Sequence, residues 1–186
     1  IKNIALVGSA KSRTTPLATT MLFQAGIITK RGSIEEKNTV SDYHEIEHER
    51  QSSVYETTMH TEWRDYKINI IDTPGIDDFI GEVISAVRVC DTAVMLLNAQ
   101  HGVEASSEVI WDYVDKYRKP TIFAVNQLDL EHANFNATVE KAKQKFGNAI
   151  TVMQYPLNQG TGFNAIIDLL KMTMYLLSAD HLTKMK

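Results

Sequence analysis

Three apolar runs, each ending abruptly in a loop, dominate the pattern of hydrophobic and polar positions along the chain. The runs, with the residue that follows each, are 4–7 with Gly8, 70–71 with Asp72, and 122–125 with Asn126. A short, continuous apolar run bounded by loop residues is typical of a strand buried on both faces. The pattern therefore predicts three strands whose carboxyl ends carry the polar chemistry of the chain.

Helical periodicity fills much of the chain between these strands. Apolar residues spaced by three and four predict helices around 17–22, 79–87, 109–117, 139–146 and 163–170. Further strands are predicted at 92–97 and 150–155, together with a hairpin of 54–63 and 66–71 across Arg64-Asp65. The first hairpin strand is polar enough to be an edge. This alternation predicts an α/β fold with a doubly wound, mainly parallel sheet and one antiparallel edge strand.

Composition and charge narrow the class of protein. The chain has 186 residues, of which 44% are hydrophobic, and a net charge of −4, so a contact with nucleic acid would need a local basic patch. Cys90 is the only cysteine, which excludes an internal disulfide and fits a reducing compartment. No apolar run approaches the roughly 20 residues of a membrane span. Ile1 already begins a core strand without a signal peptide, so we expect a cytoplasmic chain that starts inside a domain.

The loop after the first strand occupies the place of a phosphate-binding loop, G-x-x-x-x-G-K-[ST], whose backbone amides and lysine contact phosphate oxygens. Only the first glycine and the last hydroxyl match, at Gly8 and Thr15. Arg13 stands where glycine is expected and Thr14 where lysine is expected, while Lys11 adds a bulky side chain. Taking residues 11–12 as the Lys-Ser pair would put the first glycine position inside the strand, so we reject that alignment.

Two further motifs follow the other two strands. Asp72 and Gly75 form Asp-x-x-Gly, in which the acid reaches Mg²⁺ through water and the glycine amide bonds the γ-phosphate. Asn126 and Asp129 form Asn-x-x-Asp, in which the second carboxylate suits the paired N–H donors of guanine. The three strand-to-loop transitions, in this order, are those that a guanine-nucleotide switch domain needs.

Residues 27–53 are polar and lack periodicity, and a loop this long in a compact domain is usually functional or disordered. The segment lies between the first two strands, which is the position of the first switch. Ser53 is the candidate for the hydroxyl that binds Mg²⁺, which gives Thr15, Ser53 and Asp72 as the predicted metal residues. The alternative is that Ser53 is an ordinary serine in a solvated loop.

From residue 1 to about 175, the chain resembles the guanine-nucleotide domain of bacterial elongation factor G, in the translational GTPase family. The resemblance is carried by residues 25–43 and 47–54 in the first-switch region, 70–79 at D-T-P-G-H-x-D-F, and 154–169 at the start of an inserted subdomain. It implies a P-loop NTPase-like fold that is incomplete at its C-terminal end. The implied domains are a nucleotide-domain core over residues 1–147, and the start of the inserted subdomain with a C-terminal segment over 148–186.

The residues that differ from the family pattern lie in the nucleotide motifs rather than in the hydrophobic core. They indicate a divergent paralogue with degenerate nucleotide motifs. Besides Arg13 and Thr14, they are Gln51, Ser53, Ile76 in the place of the water-positioning His, and Gln127 in the place of a Lys. The final S-A-[KL] motif has only Ser178-Ala179 as a counterpart. No catalytic residue is intact, because the Ile76 side chain has no hydrogen-bonding group.

The residue at position 13 affects the backbone conformation that the phosphate loop can adopt. A left-handed backbone at Arg13, inherited from a glycine, would cost about 1–2 kcal/mol. We therefore expect the loop to be rebuilt, with Arg13 either filling the phosphate site or folded outward.

The resemblance implies GTP or GDP with Mg²⁺ as cofactors, and the ribosome, with its RNA and proteins, as the partner of the full-length factor. No contact with DNA or a membrane is expected. The favoured interpretation is a translation factor whose degenerate site hydrolyses GTP poorly. Two alternatives stay open: an active ribosome-dependent GTPase of translocation or ribosome protection, in which Lys11 or Arg13 replaces the lysine, and a nucleotide-free interaction module.

Overall fold

Five strands form the predicted mainly parallel sheet, with the order β2-β3-β1-β4-β5. The computed structural model describes residues 1–34, 36–50, 52–75, 77–177 and 182–185, with the backbone alone for residues 77 and 182–185. The strands are β1 (Lys2–Gly8), β2 (Thr57–Trp63), β3 (Tyr66–Asp72), β4 (Thr92–Asn98) and β5 (Thr121–Asn126). β1 runs parallel to β3 and β4, while β2 is the antiparallel edge. The predicted fold class is confirmed.

The register of the sheet explains why the polar motifs meet. Leu6 on β1 lies opposite Asp72 on β3, and both strands run in the same direction. The loops that begin at Gly8 and Asp72 therefore leave the sheet at one edge, where ligands of open parallel sheets bind. The β2–β3 hairpin turns at Arg64 and Asp65, whose φ angles of 48° and 67° are those of the predicted two-residue turn.

Helices alternate with the strands, as the apolar periodicity predicts. The predicted helices are α1 (Thr14–Gln24), α3 (Ile80–Val89), α4 (Ala105–Lys116) and α5 (Phe135–Phe146), with short 3-10 turns at Asp77–Phe79 and Gly160–Gly162. A further helix, α2 (Glu45–Arg50), lies in the polar segment for which the sequence predicts only a loop. One core cluster joins α1 to the sheet through Leu6, Ala18, Leu22, Met59 and Ile70. Within the described ranges, no helix is long and apolar enough to cross a membrane.

The chain divides into two compact units, residues 1–97 with 104–124, and residues 98–103 with 125–186. The second unit contains α5 and an antiparallel sheet in the order β6-β7-β8-β9. Its strands are β6 (Gln154–Pro156), β7 (Ala165–Asp168), β8 (Thr173–Leu177) and β9 (Leu182–Met185). The domain boundary expected after residue 147 stays a prediction.

The helix predicted over residues 163–170 is wrong, because this stretch forms β7 and the turn that leads into β8. The Asp168 carboxylate accepts hydrogen bonds from the backbone N–H groups of Leu170 and Lys171 and closes the turn. Leu169 is 41% exposed and Leu170 is 72% exposed, so the apolar residues at helical spacing share no buried face. The strand predicted over 150–155 is also displaced, since β6 begins at Gln154.

Candidate functional site

The loop between β1 and α1 is closed by its own hydrogen bonds. Both the backbone N–H and the hydroxyl of Ser12 donate to the Ser9 carbonyl oxygen, at 2.9 and 2.7 Å. Arg13 follows with φ 66° and ψ 52°, and its side chain is exposed. The expectation that the loop would be rebuilt to avoid this conformation was wrong. The Arg13 carbonyl accepts the first helical hydrogen bond from Leu17, so the start of α1 holds the backbone in place.

Thr14, at the position expected for the phosphate lysine, is buried. Its hydroxyl lies 3.5 Å from the Thr73 carbonyl oxygen, while the Thr73 hydroxyl donates to the Leu6 carbonyl oxygen on β1. The position therefore carries a neutral hydroxyl that faces the Asp-x-x-Gly backbone. Lys11 and Arg13, the two cationic residues of the loop, are exposed.

The structure brings together the three residues that the sequence predicts as metal ligands. The Thr15 hydroxyl donates to an Asp72 carboxylate oxygen at 2.7 Å, and it lies 3.1 Å from the Ser53 hydroxyl. Thr15 is at the start of α1, Asp72 ends β3, and Ser53 comes from the segment before β2. Three elements that are distant in sequence thus place oxygen donors at one edge of the sheet.

Asp42 belongs to this cluster, although sequence reasoning missed it. The Ser53 hydroxyl donates to the Asp42 carboxylate at 2.6 Å, and the Asp42 carbonyl oxygen lies 2.8 Å from a ring nitrogen of His48. The available signal was its position in the stretch of residues 39–43 that resembles the first switch. A single acidic residue in a polar loop does not reveal that its side chain is buried.

Burial dominates the electrostatics of the two carboxylates. Desolvation raises the pKa of Asp72 to about 6, opposed first by the hydrogen bond from the Thr15 hydroxyl. Burial also raises the pKa of Asp42, opposed by its hydrogen bond from Ser53. Both carboxylates are therefore held where a proton or a cation relieves an unfavourable buried charge.

The donor set fits Mg²⁺ bound together with phosphate. Asp72 Oδ1 is buried and has no hydrogen-bond partner within the described ranges. Thr15 and Ser53 add the oxygen atoms of their hydroxyl groups as further metal ligands. In the same ranges, no group of three or more His, Cys, Asp or Glu residues could hold a metal ion alone. Mg²⁺ commonly uses one or two carboxylates plus substrate phosphates, so these residues suit that mode of binding.

Gly75 packs directly on the loop after β1. A Cβ atom added at Gly75 would lie 2.6 Å from the Ala10 backbone nitrogen and 2.7 Å from the Ser9 carbonyl carbon. This contact requires glycine, because backbone cannot yield as a flexible side chain can. Next to it, the Ser9 hydroxyl donates to the carboxylate of Glu104, which precedes α4. A carboxylate thus contacts the loop that the sequence assigns to phosphate.

Asn126 and Asp129 lie in the second unit. The Asn126 carbonyl oxygen accepts from the Ala99 N–H at 2.9 Å, which anchors the end of β5. Gln127 has φ 62°, and its amide oxygen accepts from the Asn98 side chain at 3.0 Å. Asp129 is exposed, and in the described part of the chain its carboxylate makes no hydrogen bond that would cap the following turn.

Several predicted positions lie outside the described residues. They are Gln51, Ile76 and the Ser178-Ala179 dipeptide.

Comparison with known proteins identifies the family. The family described as "Elongation factor Tu GTP binding domain" matches residues 1–185. Elongation factor G of Petrotoga mobilis is 37% identical over 172 residues, which cover 92% of this chain and 25% of that protein. An elongation factor G-like protein of Thermotoga maritima is 33% identical over 180 residues, which cover 97% of this chain and 26% of that protein.

The fold agrees with these matches. A crystal structure of a protein from Thermus thermophilus has a TM-score of 0.94 and 26% identity, covering 100% of this chain and 28% of that one. The chain spans about a quarter of the length of the curated relatives it matches. The resemblance inferred from the motifs is confirmed. Because the family match extends over nearly all of its residues, this chain belongs to the elongation factor Tu GTP-binding domain family.

Proposed function

We propose that this chain is the guanine-nucleotide domain of an elongation factor G-like translation factor that acts on the ribosome, and that its degenerate site hydrolyses GTP poorly. The observation that carries the proposal is the cluster of Thr15, Ser53 and Asp72 beside a loop with no lysine at its phosphate position. The oxygen donors for a metal are assembled. The buried counter-charge for the phosphates is replaced by Thr14.

Each residue has a definite task in this proposal. Thr15 and Ser53 would hold Mg²⁺ through their hydroxyl oxygens, and Asp72 would hold it through a water molecule bound to its buried carboxylate. The ion would supply positive charge that offsets the charge of the phosphates. We assign the backbone N–H of Gly75 to the terminal phosphate, and Asn126 and Asp129 to the selection of guanine. Nothing in this set orients the attacking water, because the side chain of Ile76 can neither donate nor accept a hydrogen bond.

The missing lysine sets the expected size of the defect. Phosphoryl transfer is accelerated mainly by positioning and charge stabilisation. Removing one preorganised donor typically costs ~10²–10³-fold in rate. We expect the replacement at Thr14 to lower phosphate affinity or turnover by a factor of that order. The Ser9–Glu104 contact supports this expectation, because it places a carboxylate against the loop.

The ribosome, through its RNA and proteins, is the proposed partner of the full-length factor, and the cytoplasm its proposed location. The names of the Petrotoga mobilis and Mycoplasma pneumoniae relatives, both elongation factor G, support this assignment. No contact with a membrane or DNA is proposed.

An active ribosome-dependent GTPase is the second candidate function. It is favoured by the exposure of Lys11 and Arg13, either of which could turn toward a bound phosphate and restore the charge. The two proposals differ in turnover rather than in fold.

A titration with labelled GDP and a non-hydrolysable GTP analogue, with Mg²⁺ or with EDTA, tests nucleotide binding. Phosphate release in the presence of ribosomes then tests hydrolysis. We expect Mg²⁺-dependent guanine-nucleotide binding with little ribosome-stimulated release. Fast release would favour the active GTPase. No binding of either nucleotide would contradict both proposals and leave an interaction module.

A further inference from the structure

Glu47 is a charged side chain in the interior of the first-switch segment. It is 1% exposed, although it lies on the six-residue helix α2 between exposed acidic neighbours. A carboxylate this deeply buried needs several hydrogen-bond donors. Glu47 obtains them from the backbone: its Oε2 accepts from the His44 N–H at 3.1 Å, and its Oε1 accepts from the N–H groups of Val54 and Tyr55 at 3.0 and 3.2 Å.

These bonds enclose Ser53. On one side, the Ser52 N–H donates to the Glu47 carbonyl oxygen at 3.3 Å. On the other side, the Val54 N–H donates to the Glu47 carboxylate at 3.0 Å. The main chain before and after Ser53 is therefore tied to one residue, and this restraint determines where the serine side chain can reach.

The Ser53 hydroxyl lies next to the other two residues of the proposed metal site, Thr15 and Asp72. It lies 3.1 Å from the Thr15 hydroxyl, which in turn donates to Asp72. Serine lacks the methyl group that restricts the χ1 angle of threonine, so its own rotamer preferences hold the hydroxyl less firmly. The restraint must then come from the surrounding main chain.

We propose that Glu47 is the positioning residue that holds the Ser53 hydroxyl beside Thr15 and Asp72, an inference that rests on the proposed metal site. Helix capping explains only the His44 contact, a reciprocal bond at the start of α2. Val54 and Tyr55 lie after the helix, so their two contacts serve the segment that carries Ser53. A carboxylate accepts all three N–H groups on its two oxygens, whereas methionine, which has a similar size, has no oxygen acceptor.

The test uses a thiol at position 53 as a reporter that needs no nucleotide. Ser53→Cys is combined with Cys90→Ala, which removes the buried native thiol, and the alkylation rate with iodoacetamide is measured. Adding Glu47→Met should raise this rate about tenfold, the factor expected when hydrogen bonds to a charged acceptor are lost. Glu45→Met is the matched control on the same helix, with the same loss of charge at an exposed position, and it should leave the rate unchanged.

A second readout concerns the metal. In the chain with Ser53 intact, Glu47→Met should weaken binding of the GTP analogue in Mg²⁺ and leave its binding in EDTA unchanged, whereas a purely structural role would weaken both. Equal alkylation rates in folded Glu47→Met and Glu45→Met chains would overturn the inference. If Glu47→Met does not fold, amide hydrogen exchange is measured in the unmodified chain, where rapid exchange at Val54 and Tyr55 would also overturn the inference. If the nucleotide does not bind, the proposed function fails while the thiol readout still tests Glu47.

Discussion

The Thr15 hydroxyl donates a 2.7 Å hydrogen bond to the Asp72 carboxylate, although 57 residues separate the two in the chain. The bond joins the start of α1 to the end of β3, because β1 and β3 are parallel and release their loops at the same edge. The other oxygen of Asp72, Oδ1, is buried and has no hydrogen-bond partner in the described part of the chain. The protein thus supplies a hydrogen bond to one oxygen of the carboxylate, whereas the other oxygen can bind a cation or a proton.

The first prediction concerns the pH dependence of stability. Burial raises the pKa of Asp72 from 3.8 to about 6, so the folded state binds this proton more tightly than the unfolded chain does. The resulting stabilisation is fully present below about pH 4 and is lost as the pH rises through about 6. At about 1.4 kcal/mol per pH unit, the charged form costs roughly 3 kcal/mol.

Asp72→Asn should therefore raise the free energy of unfolding at pH 7.5 in EDTA by roughly 1–3 kcal/mol, and by little at pH 4. Urea unfolding at both pH values measures the difference. Asp65→Asn, in the exposed hairpin turn, is the control and should show no such dependence. An Asp72→Asn effect of the same size at both pH values would contradict the burial argument.

The second prediction tests the contact between the two motif loops. Gly75→Ala would place a Cβ atom 2.6 Å from the Ala10 backbone nitrogen, so one of the loops has to move. We expect a destabilisation of about 1–3 kcal/mol. Gly81→Ala is the matched control: it lies on α3 with nothing within 4 Å, and it should stabilise by about 1 kcal/mol. Thermal unfolding of both variants should give shifts of opposite sign.

The third prediction concerns the left-handed residue of the phosphate loop. Arg13 has φ 66°, which costs a non-glycine residue about 1–2 kcal/mol. Glycine relieves this cost but adds about 0.5–1 kcal/mol of conformational entropy in the unfolded chain. Arg13→Gly should therefore stabilise by a few tenths to about 1 kcal/mol. Arg31→Gly, at an exposed loop position without a positive φ, should not stabilise the chain. Chemical unfolding curves of the two variants measure the two changes in the free energy of unfolding.

The fourth prediction concerns base selection. If Asp129 pairs with the N1–H and 2-amino donors of guanine, Asp129→Asn should shift the preference toward xanthine nucleotides. Competition between GDP and xanthosine diphosphate measures the shift. Asp115→Asn is a suitable control, because it makes the same change on α4. An unaltered preference in Asp129→Asn would remove Asp129 from the site.

The fifth prediction separates affinity from turnover. Arg13→Gly with Thr14→Lys should improve affinity for the GTP analogue, because it restores loop freedom and the counter-charge. The double variant should gain little hydrolysis, since Ile76 cannot hold the attacking water. Adding Ile76→His should then raise ribosome-stimulated phosphate release well beyond that of the double variant. Substantial turnover by the unmodified sequence within its full-length factor would show that these departures do not impair hydrolysis.

The pattern of the sequence determined the elements that hold the motifs. Apolar runs and helical repeats of three to four residues were enough to predict β1, β3, β5 and most of the helices. The runs did not reveal that β5 is only partly buried, because its burial depends on its place at the edge of the sheet. The motif order after these strands also predicted the family, because each motif is contiguous in the chain. Thr15 and Asp72 could be paired in advance, since parallel strands end at a common edge.

Only the tertiary structure decided the features that depend on distant contacts. Residues 163–170 have apolar positions that suit either a helix or a hairpin, and the Asp168 turn together with pairing to β6 and β8 selects strands. Arg13 keeps a glycine-like conformation because the turn before it and α1 after it restrain the backbone. Asp42 joins the site, and Glu47 is buried, through hydrogen bonds to Ser53 and its neighbours. Hydrophobic periodicity indicates which face of a helix or strand is buried. The hydrogen-bond partners of side chains in a polar loop depend instead on how the whole chain folds that loop back against the sheet.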